Sequence, residues 1–323
     1  MKKEYFLLIV AIIALLAYLF FHNNNKDNYS LPQLTGLDEA DITSIEIIKD
    51  GDTIDCFKDN GKWVVTKEKY PGSTFQIKEM LSSIKNLTIT TLISENKNLN
   101  RYDLDRKKAI RVIAKDKDKI LRSFNVGKTA PTRRHTFITL DDDEIIYHAR
   151  GNLRQTFNKS INNLRDKQIQ KIDPREIKSI EIRKNGLKKI INRKNTRKNK
   201  NGKDKPDNGK EQILWTDKDN NSIKQGPVKN LIKAMSDLYC DSYPENLNKK
   251  EFESKASFLK VVLKTDKTIE FTLFPKNKKG KYPGISSSNK YLFLLNNYVA
   301  DDIISQVNEL LDIKKENKNE GKS

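Results

Sequence analysis

Gly127-Lys128-Thr129 has the ending of a phosphate-binding loop, where a lysine and a hydroxyl follow a glycine-rich turn. The loop itself needs a second glycine five residues earlier. Arg122 stands there, so the backbone cradle for phosphate is missing. Gly284-Ile285-Ser286-Ser287-Ser288 starts as a nucleophile elbow does, but it has serine where the sharp turn requires glycine. No histidine lies beyond His148 to serve as its base. His22, His135 and His148 have no metal-ligand spacing with one another or with Cys56 and Cys240. Asp141-Asp142-Asp143-Glu144 lacks the alternating ligands and glycine of a calcium loop and reads as an acidic turn between two strands. The expectation is therefore no catalytic residue, no cofactor, no metal and no enzyme. An enzyme would need a pocket uniting Lys128, His135, Arg165 and Asp166.

The second kind of chemistry in the chain is charge. Its formal net charge is +19 and its isoelectric point near 9.6. The densest basic stretch runs from Arg183 to Lys210 and contains no aromatic residue. Nucleic-acid surfaces combine such charge with stacking rings or a recognisable reading element, so nucleic acid is not the expected partner. The stretch is placed as a hairpin insertion at about residues 193–210. Arg193, Lys194, Arg197, Lys198 and Lys200 are its candidate contacts to an anionic partner or to lipid head groups, worth about 1 kcal/mol per residue near a membrane. A solvated loop in a lysine-rich chain accounts for the same residues more simply.

The elements that would position these residues repeat. Ile77, Met80, Leu81, Ile84 and Leu87 have the spacing of Val228, Leu231, Ile232, Met235 and Leu238, one apolar stripe of a helix in each case. Leu153, Phe157, Ile161 and Leu164 are stepped like Val299, Ile303, Val307 and Leu310, which predicts a closing helix in each half. Ser44-Ile45-Glu46-Ile47 is echoed by Ser179-Ile180-Glu181-Ile182 as an alternating, half-buried strand. Ile110, Val112 and Ala114 correspond to Leu259, Val261 and Leu263, and the two tryptophans, Trp63 and Trp215, to each other. Short turns at Asp116-Lys117-Asp118 and Thr265-Asp266-Lys267 join neighbouring strands. The order predicts α+β architecture with mainly antiparallel sheets in two tandem, similar modules.

Tyr5 to Phe21 is an uninterrupted apolar run of 17 residues preceded by Lys2 and Lys3. At about 1.5 Å per residue it is just long enough to cross the hydrocarbon of a bilayer. The basic flank places the N-terminus in the cytoplasm and the remainder outside, so the expected location is the cytoplasmic membrane, single-pass, with membrane lipid contacted by residues 5–21. A cleaved signal peptide is the rival reading, but the bulky exit Tyr18-Leu19-Phe20-Phe21 offers a peptidase no small residues. The expected divisions are an anchor with its flanks over 1–26, modules over 27–170 and 171–315, and a polar tail over 316–323. Cys56 and Cys240 occupy non-equivalent places in the two modules, and a disulfide between modules stays open.

Several segments together resemble a bacterial family, the domain of unknown function 4340 family. They are Ile45-Glu46-Ile47, Gly61-Lys62-Trp63, Tyr102-Asp103-Leu104-Asp105, Val126-Gly127-Lys128-Thr129-Ala130-Pro131 and Leu164-Arg165-Asp166-Lys167, behind the N-terminal apolar run. The likeness is densest over residues 37–170. It implies a membrane-anchored envelope protein without an assigned activity, in a family some of whose members accompany ABC-type export or gliding-associated transport systems. It also implies structural roles for Gly127, Lys128, Arg165 and Asp166: a strand end that needs glycine and an ion pair that fixes the closing helix. The expected function is an interaction or scaffold protein of the envelope, with transporter subunits as partners. The alternative is an electrostatic binder of anionic envelope polymers or lipid.

Overall fold

A computed structural model describes residues 3–23, 30–141, 143–196, 212–245 and 247–313. The chain divides into two compact units, Met1–Asp166 and Lys167–Ser323. The division falls four residues before the expected module boundary, because the strand that follows Lys167 pairs within the second unit.

The first unit contains α1 (Lys3–Asn23), a 3-10 turn at Glu39–Asp41, β1 (Ser44–Lys49), β2 (Asp52–Asp59), β3 (Lys62–Val65), β4 (Tyr70–Pro71) and α2 (Thr74–Lys85). After these come β5 (Ile89–Ser94), a 3-10 turn at Leu99–Tyr102, β6 (Ile110–Asp116), β7 (Lys119–Thr129), β8 (His135–Leu140), β9 (Ile146–Arg150), α3 (Leu153–Phe157) and α4 (Ile161–Leu164). Its nine strands form one sheet in the order β4-β3-β2-β1-β6-β7-β8-β9-β5. The second unit contains β10 (Gln168–Lys171), a 3-10 turn at Pro174–Glu176, β11 (Ser179–Lys184), β12 (Leu187–Thr196), β13 (Gln212–Asp217), α5 (Gln225–Ser236) and β14 (Asp237–Tyr239). It continues with α6 (Lys249–Glu253), β15 (Leu259–Lys264), β16 (Thr268–Leu273), β17 (Tyr282–Ser286), β18 (Asn289–Leu295) and α7 (Asn297–Leu310). A seven-stranded sheet runs β13-β12-β11-β15-β16-β17-β18, beside a two-stranded β10-β14 ribbon. Described strand pairs such as β1 with β6 and β11 with β15 are antiparallel, and the fold is α+β as expected.

Turn chemistry sets the registers. Asp50-Gly51, Asn60-Gly61 and Asn185-Gly186 are two-residue connections in which both residues have positive φ, between 49° and 85°. That conformation matches the right-handed twist of the flanking strands, and Asn-Gly and Asp-Gly adopt it at least cost. The registers of the two units then coincide. Ile45 lies opposite Cys56 and Ala114, as Ile180 lies opposite Ile191 and Leu263. Lys58 faces Trp63 across its hairpin, and Arg193 faces Trp215.

The helices cover the apolar sheet faces. In α2 the buried side chains are Ile77, Met80, Leu81 and Ile84, packed in one cluster with Ile45, Ile47 and Val112 of the sheet. In α5 they are Val228, Leu231, Ile232 and Met235. Burying each such side chain contributes roughly 1.5–3 kcal/mol. Ser73 caps α2, its hydroxyl accepting from the Gln76 N–H. At the other end the buried Arg122 guanidinium donates to the carbonyls of Ile84 and Lys85 and, at 2.5 Å, to Thr35. A cation there neutralises the negative end of the helix dipole.

Two expectations need correction. The closing helix of the first half is broken into α3 and α4, although α7 is continuous. Asn158 ends α3, and Ser160 starts α4 by accepting from the Asn163 N–H, so local side-chain capping interrupts an otherwise helical spacing. Arg193 and Lys194 are not in a loop: β12 continues through them, paired with Trp215 and Leu214 of β13. The partner strand supplies backbone hydrogen bonds that the sequence of β12 alone does not announce. Side chains of α1 are described at Tyr5 and residues 8–19, and all of them are exposed. Among the described residues no helix is long and apolar enough to cross a membrane.

Candidate functional site

Two of the family-like residues of the first unit, Gly127 and Arg165, serve the architecture. Gly127 is buried near the end of β7, with φ outside the left-handed region. Its need for glycine is steric: a Cβ there would overlap the Tyr102 carbonyl oxygen and lie 2.8 Å from Leu104 Cγ. Leu104 in turn packs with Ala130, Phe137 and Ile146. Lys128, the next residue, points to solvent. The Arg165 guanidinium is almost fully buried and lies 3.8 Å over the Tyr70 ring, a cation–π contact that holds α4 against β4. Its backbone bridges Gly72, and the Asp166 N–H donates to the Pro71 carbonyl. Among the described residues Arg165 Nε and Nη1 have no hydrogen-bond partner. Its charge also contributes, after the Thr66 hydrogen bond, to holding the Glu68 carboxyl below its usual range. Gly127 and Arg165 thus brace different elements.

The chemical motifs dissolve similarly. β7 passes Gly127-Lys128-Thr129 and leads to β8, not to the helix that a phosphate loop requires. Ser286 ends β17 in a strand–turn–strand, its hydroxyl within hydrogen-bond reach of Ser288 Oγ at 2.7 Å. His135 and His148 stack with ring centroids 5.4 Å apart, and Phe137 covers His148 from 4.6 Å. Burial, reinforced by His135, pushes the His148 pKa below its ordinary value. Cys56 and Cys240 are free and buried, and burial pushes both thiols up to about 12. Among the described residues no group of His, Cys, Asp and Glu is arranged to hold a metal.

The site with the geometry of a binding pocket lies in the second unit, a cleft of about 480 Å³. Its apolar surface comes from Ile172, Pro174, Ile213, Trp215 and Ile232. These residues belong to the β10 connection, the edge strand β13 and helix α5. Trp215 and Ile232 are buried at its base, whereas Pro174 is at the open side. Around this surface stand five cations, Lys171, Arg175, Arg193, Lys229 and Lys233, and one acid, Asp237.

These cations differ in how they are engaged. Arg175 forks onto Asp173, with Nη2 to Oδ2 at 2.6 Å, and this pairing lowers the Asp173 carboxyl to about 2. Arg193 Nη1 donates to the Arg175 carbonyl, as Lys58 Nζ donates to the Ala40 carbonyl in the first unit. Lys171, Lys229 and Lys233 are exposed and make no ion pair among the described residues. The polar groups of the wall are already used. Ser236 Oγ donates to the Ile232 carbonyl at 2.6 Å, and Asp237 Oδ1 accepts from Gln168 Nε2 at 2.7 Å. Gln225 closes the edge of β13, its Oε1 accepting from the Trp215 N–H at 2.9 Å and its Nε2 donating to the Trp215 carbonyl at 2.7 Å.

Of the candidate anionic contacts, Arg193 lines this cleft and Lys194 is exposed beside it on β12. Arg197, Lys198 and Lys200 lie outside the described residues. Lys171, Lys229, Lys233 and the apolar floor were missed because they come from three separate segments. The one available signal was that α5 carries Lys229 and Lys233 four apart beside its apolar stripe.

Fold and cleft together define a two-unit α+β protein with antiparallel sheets and an open apolar binding surface ringed by cations. A family model, the domain of unknown function DUF4340, matches residues 63–258, more than half of the chain, and the chain belongs to that family. The match begins in β3 and ends just before β15, so it spans parts of both units, including most of the cleft. No curated protein and no solved structure matches the chain.

Proposed function

We propose that this protein is a non-catalytic binding module of the cell envelope. It is held at the cytoplasmic membrane by residues 5–21, with the bulk of the chain on the extracytoplasmic side, and it serves as an accessory to an ABC-type export or gliding-associated transport system. The observation that carries the reading is the character of the cleft. Its surface is apolar, its cations stand at the margin, the buried Ser236 hydroxyl donates to the Ile232 carbonyl, and the exposed Asp237 carboxylate accepts from Gln168 through one oxygen. Such a site retains a ligand; it lacks a poised nucleophile or base to transform one. The anchor is supported by the apolar run Tyr5–Phe21 and by the exposure of the described α1 side chains. Tethering raises the effective concentration of membrane partners, so weak contacts suffice. The repeated registers support a duplicated scaffold whose two surfaces diverged.

In-cell crosslinking of the anchored full-length chain, followed by mass spectrometry, tests this reading. Transporter subunits are the expected adducts. Recovery of the chain alone, under conditions that capture known membrane complexes, would overturn it.

A further inference from the structure

We infer that the cleft of the second unit takes an anionic lipid: one acyl chain along the apolar floor, with its acidic head group among Lys171, Lys229 and Lys233. The inference rests on the reading of the cleft as a binding site and adds the chemistry of its occupant.

Three observations converge on that class. The first is the match of shape and polarity. A cleft of about 480 Å³ is of the size that holds small ligands. The polar groups beside its floor are satisfied from within, Ser236 by the Ile232 carbonyl and the Trp215 backbone by Gln225, while the exposed Asp237 holds Gln168 through one oxygen. A peptide entering the floor would lose water from its backbone amides and find nothing to replace it, a penalty a hydrocarbon chain escapes. The second is the charge at the margin. Three lysines without ion pairs among the described residues border the apolar floor, which fits a ligand with an apolar body and an anionic end.

The third observation is the contrast with the same scaffold in the first unit. The 3-10 turns and the helices place Ala40 and Ser82 where the second unit has Arg175 and Lys233, while Lys78 stands where it has Lys229. Glu39 stands where the second unit has Pro174, and Gly61 where it has Ile213. Lys85, level with Ser236, is paired with Asp38 at 3.6 Å. Fold requirements are met in both units. Lys78 and Lys58 stand where the second unit has Lys229 and Arg193, so what belongs to the second unit alone is the addition of Arg175, Lys233, Pro174 and Ile213 to that shared pair.

The test uses the full-length Trp63→Phe chain in phosphatidylcholine nanodiscs, so that Trp215 in the cleft is the fluorescent reporter. Octyl, decyl and dodecyl phosphate are titrated, with dodecanol, inorganic phosphate and polyglutamate as comparators. Trp215 emission is expected to respond to the alkyl phosphates, with affinity rising up to about fourfold per methylene as the chain is buried. Dodecanol is expected to bind at least tenfold more weakly, and phosphate and polyglutamate not to compete. Lys229→Glu combined with Lys233→Glu should weaken dodecyl phosphate at least tenfold; Lys229→Gln with Lys233→Gln should give a smaller loss of the same sign. Circular dichroism of each variant establishes that it is folded.

Equal binding of dodecanol, competition by polyglutamate, or a response unchanged in both lysine variants would overturn the inference. Those results would leave the crosslinking test of the transport partner untouched. Conversely, loss of the partner with retained alkyl phosphate binding would refute only the transport role.

Discussion

Gly127→Ala separates a steric role from a functional one. Gly127 does not have positive φ, so alanine meets no backbone strain there. In a strand the change should by itself stabilise the fold by about 0.5–1 kcal/mol. Against that, the new methyl would overlap the Tyr102 carbonyl oxygen and press on Leu104 at 2.8 Å. Over-packing of this kind costs about 1–3 kcal/mol, and an obstacle made of backbone belongs at the upper end. The Tyr102 segment is poorly placed to yield, because Asp103 follows it at φ 55° and Leu104 is buried against Phe137 and Ile146. The expected net loss is about 2 kcal/mol, near 6 °C in melting temperature for a unit of this size. The measurement is thermal unfolding of a Trp215→Phe chain, in which Trp63 reports the first unit alone. A second variant locates the obstacle. If the Leu104 side chain were the whole problem, Leu104→Ala would rescue Gly127→Ala by more than about 1 kcal/mol in a double-mutant cycle. Contact with a carbonyl oxygen predicts a smaller coupling. A Gly127→Ala chain as stable as its parent would refute the reasoning, and with it the structural account of this family-like residue.

Further expectations concern buried polar groups. Arg122→Met removes the guanidinium from the carbonyls of Ile84, Lys85 and Thr35 and should destabilise the first unit by about 2–3 kcal/mol in denaturant titrations read from Trp63. With both thiols raised to about 12, the folded chain keeps protons that the unfolded chain releases above pH 9. Stability should therefore fall between about pH 9 and 12, by at most ~1.4 kcal/mol per unit of pH and thiol, and Cys56→Ala should reduce that slope. His148 titrates below its ordinary value, so as pH drops under 6.5 the unfolded chain gains its proton before the folded one does. Acid melting of the first unit should flatten in His148→Phe, and an unchanged pH profile would contradict the burial described.

Much of the scaffold was legible because packing selects spacing. The stripe of Ile77, Met80, Leu81 and Ile84 had to face a sheet, and the short turns at Asp116-Lys117-Asp118 and Thr265-Asp266-Lys267 had to join neighbouring strands. The equivalence of Trp63 and Trp215 followed from order alone. What spacing could not show was interruption by a local competitor. Ser160 and Asn158 cap at the middle of a helical pattern, and caps outweigh a stripe of four residues. The extension of β12 through Arg193 depended on a partner strand 22 residues away, which no local pattern encodes. The cleft was illegible for the same reason. Its lysines come from a strand end and a helix face and its floor from an edge strand, and only tertiary structure brings them together. Arg193 was singled out for its basic neighbours, whereas its place in the cleft comes from its register with Trp215.

Gln225 has a further consequence. β13 is the last strand of its sheet, an outer rail where another chain's strand could dock. In the first unit the equivalent rail is occupied by β4, which pairs with Val64 and Val65, and Gly72 donates to the Trp63 carbonyl at 2.9 Å. In the second unit Ser222 bridges Thr216 and the Asp217 N–H donates to the Asn221 carbonyl at 3.1 Å, while the Gln225 side chain takes both backbone groups of Trp215, mimicking one more residue of a strand. Open rails that meet at high local density join into fibrils. Gln225→Ala would bare the Trp215 N–H and carbonyl and open that covered rail at its middle, where an incoming strand could pair.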